Sequence, residues 1–314
     1  MPRFRLTLAR GRVVALALLL APWSTVSLSA QSGDSWRDPS PHQVRFVTVD
    51  SAVRLEVLDW GGSGRPLVFV GCYLTAHVYD RIAPKLTDRF HVYAVTRRGV
   101  GASDRPATGY SPQRRADDIL EVITALDLKK PILVGNSCGG DILHTLGARN
   151  PERLGGLMYL DAAEDPTLTR ADYEQAPVDL AQLPPRKGAP AAITYPEAEL
   201  RQRPLDPAIR RAIVEDNRVK PDYARIRVPV VAIFRTVTME QALIEYPPKT
   251  AQERAVLDQA YRASRGMLTK WQNDVRGIAE AKIVELSGAG LYMFLSNEAD
   301  IIRELRVFAA SLPR

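Results

Sequence analysis

The sequence predicts an α/β fold: a mostly parallel, eight-stranded sheet flanked by helices and interrupted by one insertion. Three observations carry this. Short β-branched runs alternate with segments of helical period from about residue 43 onward. Three of those runs, "PLVFV", "PILVG" and "GLMYL", are continuously apolar, as strands buried on both faces must be. Finally, 314 residues of which 46% are hydrophobic suffice for one large core.

The first thirty residues stand apart. Arg3, Arg5, Arg10 and Arg12 precede the apolar run Val13 to Ala21, and small residues follow as far as Ala30. This is the layout of a secretory signal peptide, with export to the periplasm or beyond as its consequence. The apolar run is short for a membrane span, so no stable membrane anchor is expected. The four arginines, unaccompanied by any acid, supply four of the chain's six net positive charges. No cluster of Lys and Arg interleaved with aromatics appears elsewhere, which argues against nucleic acid as a partner. Residues 31–42 read as a linker.

The elements follow in order. "VRFVTVD" and "VRLEVLDW", separated by a short turn, predict an opening hairpin. "PLVFVG" and "HVYAV" predict the next two strands, the second followed by a glycine-rich turn. "SPQRRADDILEVITAL" predicts a helix with Ser111 as N-cap, Pro112 at its first position, and Ala116, Ile119, Leu120 and Ile123 on one face. "KPILVG" and "LGGLMYLD" predict strands on either side of the helix "DILHTLGARN". Residues 162–227 are rich in proline and polar residues, with short helical patterns such as "DPAIRRAIVEDN", and read as a cap inserted into the core of 43–161 and 228–314. "VPVVAIF" resumes the sheet. One longer helical stretch then reaches about Ala281, "KIVELSG" supplies the last strand, and Ile301, Leu305, Phe308 and Leu312 mark one face of a closing helix.

The chemistry centres on "GNSCG", Gly135 to Gly139. A strand before it and a helix after it put Ser137 on a sharp turn with its hydroxyl raised above the sheet edge, the position of a nucleophile. Together with "FVGC", "TRRGVGASD" and "LMYLDAAED", this motif makes the chain from about residue 43 to 314 resemble the α/β-hydrolase superfamily, in the serine-nucleophile branch with a helical cap. The resemblance implies a small-molecule acyl substrate, an oxyanion hole and a Ser–acid–His triad; no metal cluster or phosphate-binding glycine loop appears in the sequence, so no cofactor and no metal are expected. Its substrates range over esters, lactones, amides, epoxides and alkyl halides, so the fold alone does not select one.

In such a fold the oxyanion donors are the backbone N–H groups of the residue after the nucleophile, Cys138, and of the residue after the first strand–loop glycine, Cys72. Val70 stands where many relatives have histidine; backbone donation survives that change. Both cysteines therefore fall on segments that converge, with α-carbons expected within about 7 Å. One disulfide and two buried thiols are both compatible with the sequence. For the acid, no aspartate follows "VPVVAIF", and Glu240 sits where a helix should begin. Asp161, at the end of the strand after the nucleophile helix, is the best candidate, with Asp165 beside it; capping the following segment is the competing role for Asp161.

The base is missing. The loop "GAGLYMF" should present the catalytic histidine, and Leu291 occupies its position. Leucine neither takes the serine proton nor returns one to a leaving group. Of the four histidines, His42 precedes the fold, His91 lies at the wrong end of a strand, and His144 sits well into the helix behind Ser137. His77, after the oxyanion strand, is nearest the pocket and fits a structural role better than a catalytic one. Two functions stay open: a serine hydrolase impaired at its base, or a non-catalytic ligand-binding pseudo-hydrolase.

Overall fold

The computed structural model describes residues 37–167, 182–187, 194–216 and 219–313. Residues 1–30, for which a signal peptide is expected, and part of 162–227 lie outside them. Within the compact unit Asp38–Arg314, eight strands form one sheet: β1 (Gln43–Val49), β2 (Val53–Gly61), β3 (Arg65–Val70), β4 (Phe90–Val95), β5 (Ile132–Asn136), β6 (Gly156–Leu160), β7 (Val230–Thr236) and β8 (Ala281–Ser287). Their spatial order is β1-β2-β4-β3-β5-β6-β7-β8. β1 and β2 pair antiparallel, as do β2 and β4, and every later pair is parallel.

Strand burial follows position. β5 and β6 lie in the middle and are buried at every residue, whereas the edge strand β8 has no buried residue. Side chains alternate between two cores. Val68 and Val70 of β3 pack on one face with α1 (Pro112–Ala125), α2 (Gly140–Arg149) and Leu268 and Val275 of the long helix Ala251–Arg276; Leu67 and Phe69 pack on the other with Ile301, Leu305 and Phe308 of the closing helix Glu298–Ser311. Each fully buried Leu or Ile contributes about 2 kcal/mol of transfer free energy, so each layer holds its helices without help from intrinsic propensity.

The N-terminus of α1 forms as its sequence dictates: Ser111 Oγ accepts from Arg114 N–H, and Pro112 fills the first turn, where no N–H is needed. The remaining helices are α3 (Glu197–Leu200), α4 (Pro207–Asp216), α5 (Met239–Glu245), α6 (Ala251–Arg276), α7 (Met293–Ser296) and α8 (Glu298–Ser311). The single helical stretch expected after β7 is two helices, because Pro247 and Pro248 end one and cannot continue it. Met239 opens α5 behind a capping box from Thr238 and Gln241, so Glu240 is in its first turn. α3 and α4 occupy the insertion between β6 and β7.

A buried charge pair locks the loop after β4. Arg98 is 1% exposed and grips Asp118 of α1 with two hydrogen bonds, Nε to Oδ2 at 2.6 Å and Nη2 to Oδ1 at 2.5 Å. The two parallel bonds fix distance and orientation together. Among the described residues no helix is long and apolar enough to cross a membrane.

Candidate active site

The carboxyl ends of β3, β5, β6 and β8 meet above the sheet, and the sequence-predicted residues gather there. β5 ends at Asn136, and Ser137 follows with φ +49°, a left-handed conformation that a non-glycine residue adopts only at a cost of about 1–2 kcal/mol. Two glycines make that turn possible. A Cβ on Gly139 would lie 2.4 Å from the Val70 carbonyl oxygen, and one on Gly140 would lie 1.8 Å from that of Ala162. The turn is wedged between the ends of β3 and β6, where no side chain fits.

Cys72 and Cys138 are joined by a disulfide with α-carbons 4.9 Å apart. The expected proximity is met, and of the two states the sequence left open the structure adopts the bond. Cys72 is buried and Cys138 half-buried. Arg97 Nη2 approaches Cys138 Sγ at 3.7 Å. That arginine is 3% exposed, and its Nε and Nη1 have no hydrogen-bond partner among the described residues. Burial lowers its pKa to about 9, with neighbouring Arg115 adding to the effect. A desolvated guanidinium thus stands behind the disulfide. Sequence reasoning missed it, although "TRRG" places two arginines at the end of β4.

Asn136 ties two loops together. Its Nδ2 donates to the Leu160 carbonyl at 2.9 Å and to the Leu291 carbonyl at 3.0 Å. The main chain at Leu291 is therefore held beside the end of β6 and next to the Ser137 turn. Tyr292 packs edge-on to Phe294 and to Tyr195 of the insertion, and Phe294 leans on Tyr79 at 4.7 Å. Burial raises the Tyr292 phenol well above its ordinary range, so it keeps its proton. The insertion is anchored on the same side: Glu199 of α3 accepts from Thr75 N–H, in the loop that follows Cys72.

Asp161 is buried at the tip of β6 with φ +50°. Its carboxylate accepts from Arg235 N–H at 3.3 Å and pairs with Arg235 Nε. Burial raises its pKa and the arginine opposes that shift. Asp161 therefore lies in the expected place with a cation already beside it. Asp165, also buried, accepts from Thr167 N–H at 2.9 Å and Oγ1 at 2.6 Å, a local turn bond. Between them Glu164 has its pKa pushed up to about 8, chiefly by burial and then by Asp161 and Asp141.

Each of the four histidines faces carboxylates elsewhere. His91 Nε2 meets Asp59 at 2.8 Å and His144 Nε2 meets Asp141 at 3.6 Å. His42 lies against Asp38 and Asp80, and His77 against Asp38, Asp80 and Glu56. A histidine flanked by three carboxylates is held in place by them and is poorly suited to shuttle the Ser137 proton. Two surface clefts, one beside α2 lined by Asp141 and His144 and one near Asp127 and Arg153, do not touch Ser137.

A mostly parallel sheet with a serine on a strained strand–helix turn defines a hydrolase scaffold. The chain belongs to the α/β hydrolase fold family, which it matches over residues 65–268. It is 35% identical over 109 residues to the 2-(acetamidomethylene)succinate hydrolase of Mesorhizobium japonicum, a match covering 35% of this chain and 39% of that enzyme. It is 31% identical over 130 residues to the non-heme chloroperoxidase of Streptomyces lividans, covering 40% and 47% of the two. These matches span less than half the length of either curated relative. In three dimensions it resembles the bromoperoxidase of Bacillus anthracis, with a TM-score of 0.64, 14% identity, and coverage of 86% of this chain and 100% of that one; this likeness speaks to fold alone.

Proposed function

We propose that the chain is an exported serine hydrolase for a small, fairly apolar ester or related acyl compound, impaired because Leu291 replaces the general base. The observation that carries this reading is Ser137 held at φ +49° between two converging oxyanion segments. That conformation is costly and serves to present a hydroxyl. Residues 43–161 and 228–314 form the catalytic core in this reading, and 162–227 the cap over it. Tyr292 and Phe294, beside Leu291, support an apolar acyl group. The disulfide and the leader sequence both favour an oxidising compartment.

The chemistry follows from what is present. Ser137 Oγ can add to an activated acyl carbon, losing its proton to water; the Cys72 and Cys138 N–H groups can hold the resulting oxyanion, whose collapse breaks the ester C–O bond and expels the alcohol. No imidazole takes the serine proton, and none activates water afterwards. Acylation is slow and deacylation slower, so an activated ester should acylate the protein with little turnover.

Replacing the base tests this. Leu291→His should raise p-nitrophenyl ester hydrolysis by at least roughly 100-fold, modest against the usual cost of a missing triad member. In that background Asp161→Asn should remove most of the gain and Asp165→Asn little of it. A folded Leu291→His protein with no gain, and a native protein unlabelled at Ser137 by a fluorophosphonate, would refute the hydrolase reading. The Asp161–Arg235 pair favours the second reading, a non-catalytic binding protein, since the candidate acid is already committed to a cation. Retained ligand binding without rescue would select it.

A further inference from the structure

Behind the loop that carries Cys72, four side chains from two separate segments converge. Asp38 and His42 come from the chain just before β1. His77 and Asp80 come from the 3-10 turn Ala76–Tyr79 and the residue that ends it. Each offers one donor atom, and these four atoms lie within 4.8 Å of one another. His77 Nδ1 stands 3.0 Å from Asp38 Oδ2 and 3.3 Å from Asp80 Oδ2. His42 Nδ1 stands 3.0 Å from Asp80 Oδ1, and its Nε2 lies 3.6 Å from Asp38 Oδ2. With His77 Nδ1, Asp38 Oδ2, Asp80 Oδ2 and His42 Nε2 as the donors, three of the separations are 3.0, 3.3 and 3.6 Å and the whole set lies within 4.8 Å; ligands placed 2.0–2.1 Å from a tetrahedral cation are separated by about 3.3 Å.

Hydrogen bonding accounts for part of the cluster, since His42 Nδ1 and His77 Nδ1 each bond Asp80 at 3.0 and 3.3 Å. A ring nitrogen carries at most one proton, yet His77 Nδ1 faces two carboxylate oxygens. Asp38 Oδ2 is buried and accepts no hydrogen bond, while Oδ1 of the same carboxylate accepts from Ser40 N–H at 2.9 Å. The local turn therefore aims Oδ2 inward at His77 Nδ1, 3.0 Å away, without completing a hydrogen bond to it. The other nitrogen of His77, Nε2, lies 3.7 Å from Glu56 Oε1, and Glu56 Oε2 accepts from Thr96 Oγ1 at 2.7 Å. A carboxylate on the far side of the ring is the usual outer partner of a metal-bound imidazole, because it keeps the other nitrogen free to bind.

We propose that Asp38, His42, His77 and Asp80 bind one divalent cation of the zinc type. Two imidazoles and two carboxylates suit zinc and its first-row neighbours, whereas calcium and magnesium prefer oxygen donors throughout. Four protein ligands leave no open position, so the site is structural. It joins the chain's entry into the sheet to the turn that begins at Thr75, the residue that also holds Glu199 of the insertion. The cation thereby braces the oxyanion loop from behind.

The test uses the full, untagged chain stripped with a chelator and titrated with zinc chloride. Elemental analysis after desalting should find one zinc per chain, and the melting temperature should rise with free zinc, because the metal binds the folded form. Calcium or magnesium at equal concentration should shift it little. Cobalt(II) should give the intense visible bands of a tetrahedral complex. Asp38→Asn and His42→Gln lie outside the sheet and should weaken zinc binding at least about tenfold. Absence of stoichiometric zinc and of the cobalt spectrum in the native chain would overturn the proposal. So would full zinc stoichiometry and unchanged affinity in both variants, which would place the metal elsewhere.

Discussion

Breaking the Cys72–Cys138 bond should destabilise the protein mainly through its unfolded state. The bond closes a loop with a sequence separation of 66 residues. In the chain-entropy treatment a loop of that size restricts the unfolded ensemble by about 4 kcal/mol at 25 °C. Few native contacts change on reduction, since Cys72 stays buried after β3 and Cys138 stays on the Ser137 turn. The reduced protein and a Cys72→Ala/Cys138→Ala variant should therefore lose similar stability. Urea unfolding of oxidised and reduced samples measures this directly. Reduction should lower the midpoint and also steepen the transition, because an uncrosslinked chain exposes more surface. Once reduced, Cys138 should alkylate before Cys72: it is the more exposed, it precedes the N-terminus of α2, and the Arg97 guanidinium favours its thiolate. Two reactive thiols per chain under denaturing, non-reducing conditions would refute the bond itself. An unchanged urea midpoint after verified reduction would refute the entropic argument.

Ser137→Gly should stabilise the fold by about 0.5–1 kcal/mol in urea unfolding while abolishing fluorophosphonate labelling, because glycine accepts φ +49° without strain. Glu164 gives a pH dependence of definite sign. Its pKa is about 8 in the folded chain against 4.5 ordinarily, so its contribution is complete below about pH 4.5 and is lost as the pH rises through about 8. Urea midpoints compared across that window should fall less for Glu164→Gln than for the native chain, and identical slopes would contradict the shift.

Most of the sheet was readable because its signals are local. "PILVG" and "GLMYL" are apolar at successive positions, and both strands are buried throughout. The closing helix showed its face through Ile301, Leu305 and Phe308, and those residues are buried. The break between α5 and α6 was also written locally, in Pro247 and Pro248, but the helical pattern on either side outweighed it. The site was legible only in part. Ser137 carries its context on both sides, and the Cys72–Cys138 approach was expected from two loops that converge in the proposed oxyanion reading. The Asp161–Arg235 pair depends on β6–β7 register, in which Leu160 stands opposite Ile233, and no local pattern encodes that. The Asp38, His42, His77 and Asp80 cluster escaped for the same reason. Each segment supplies only two ligand-type residues, too few to signal a site until folding brings them together.

The Asn136 clip has a consequence for how such a site changes over time. It holds residue 291 by its carbonyl, a group that every amino acid possesses. The loop's course is therefore insulated from whichever side chain it carries there. Selection for folding exerts little pressure at that position, so gaining or losing a base becomes a single-codon event with a small structural penalty. The scaffold behaves as a socket: its wiring stays in place while the fitting is exchanged.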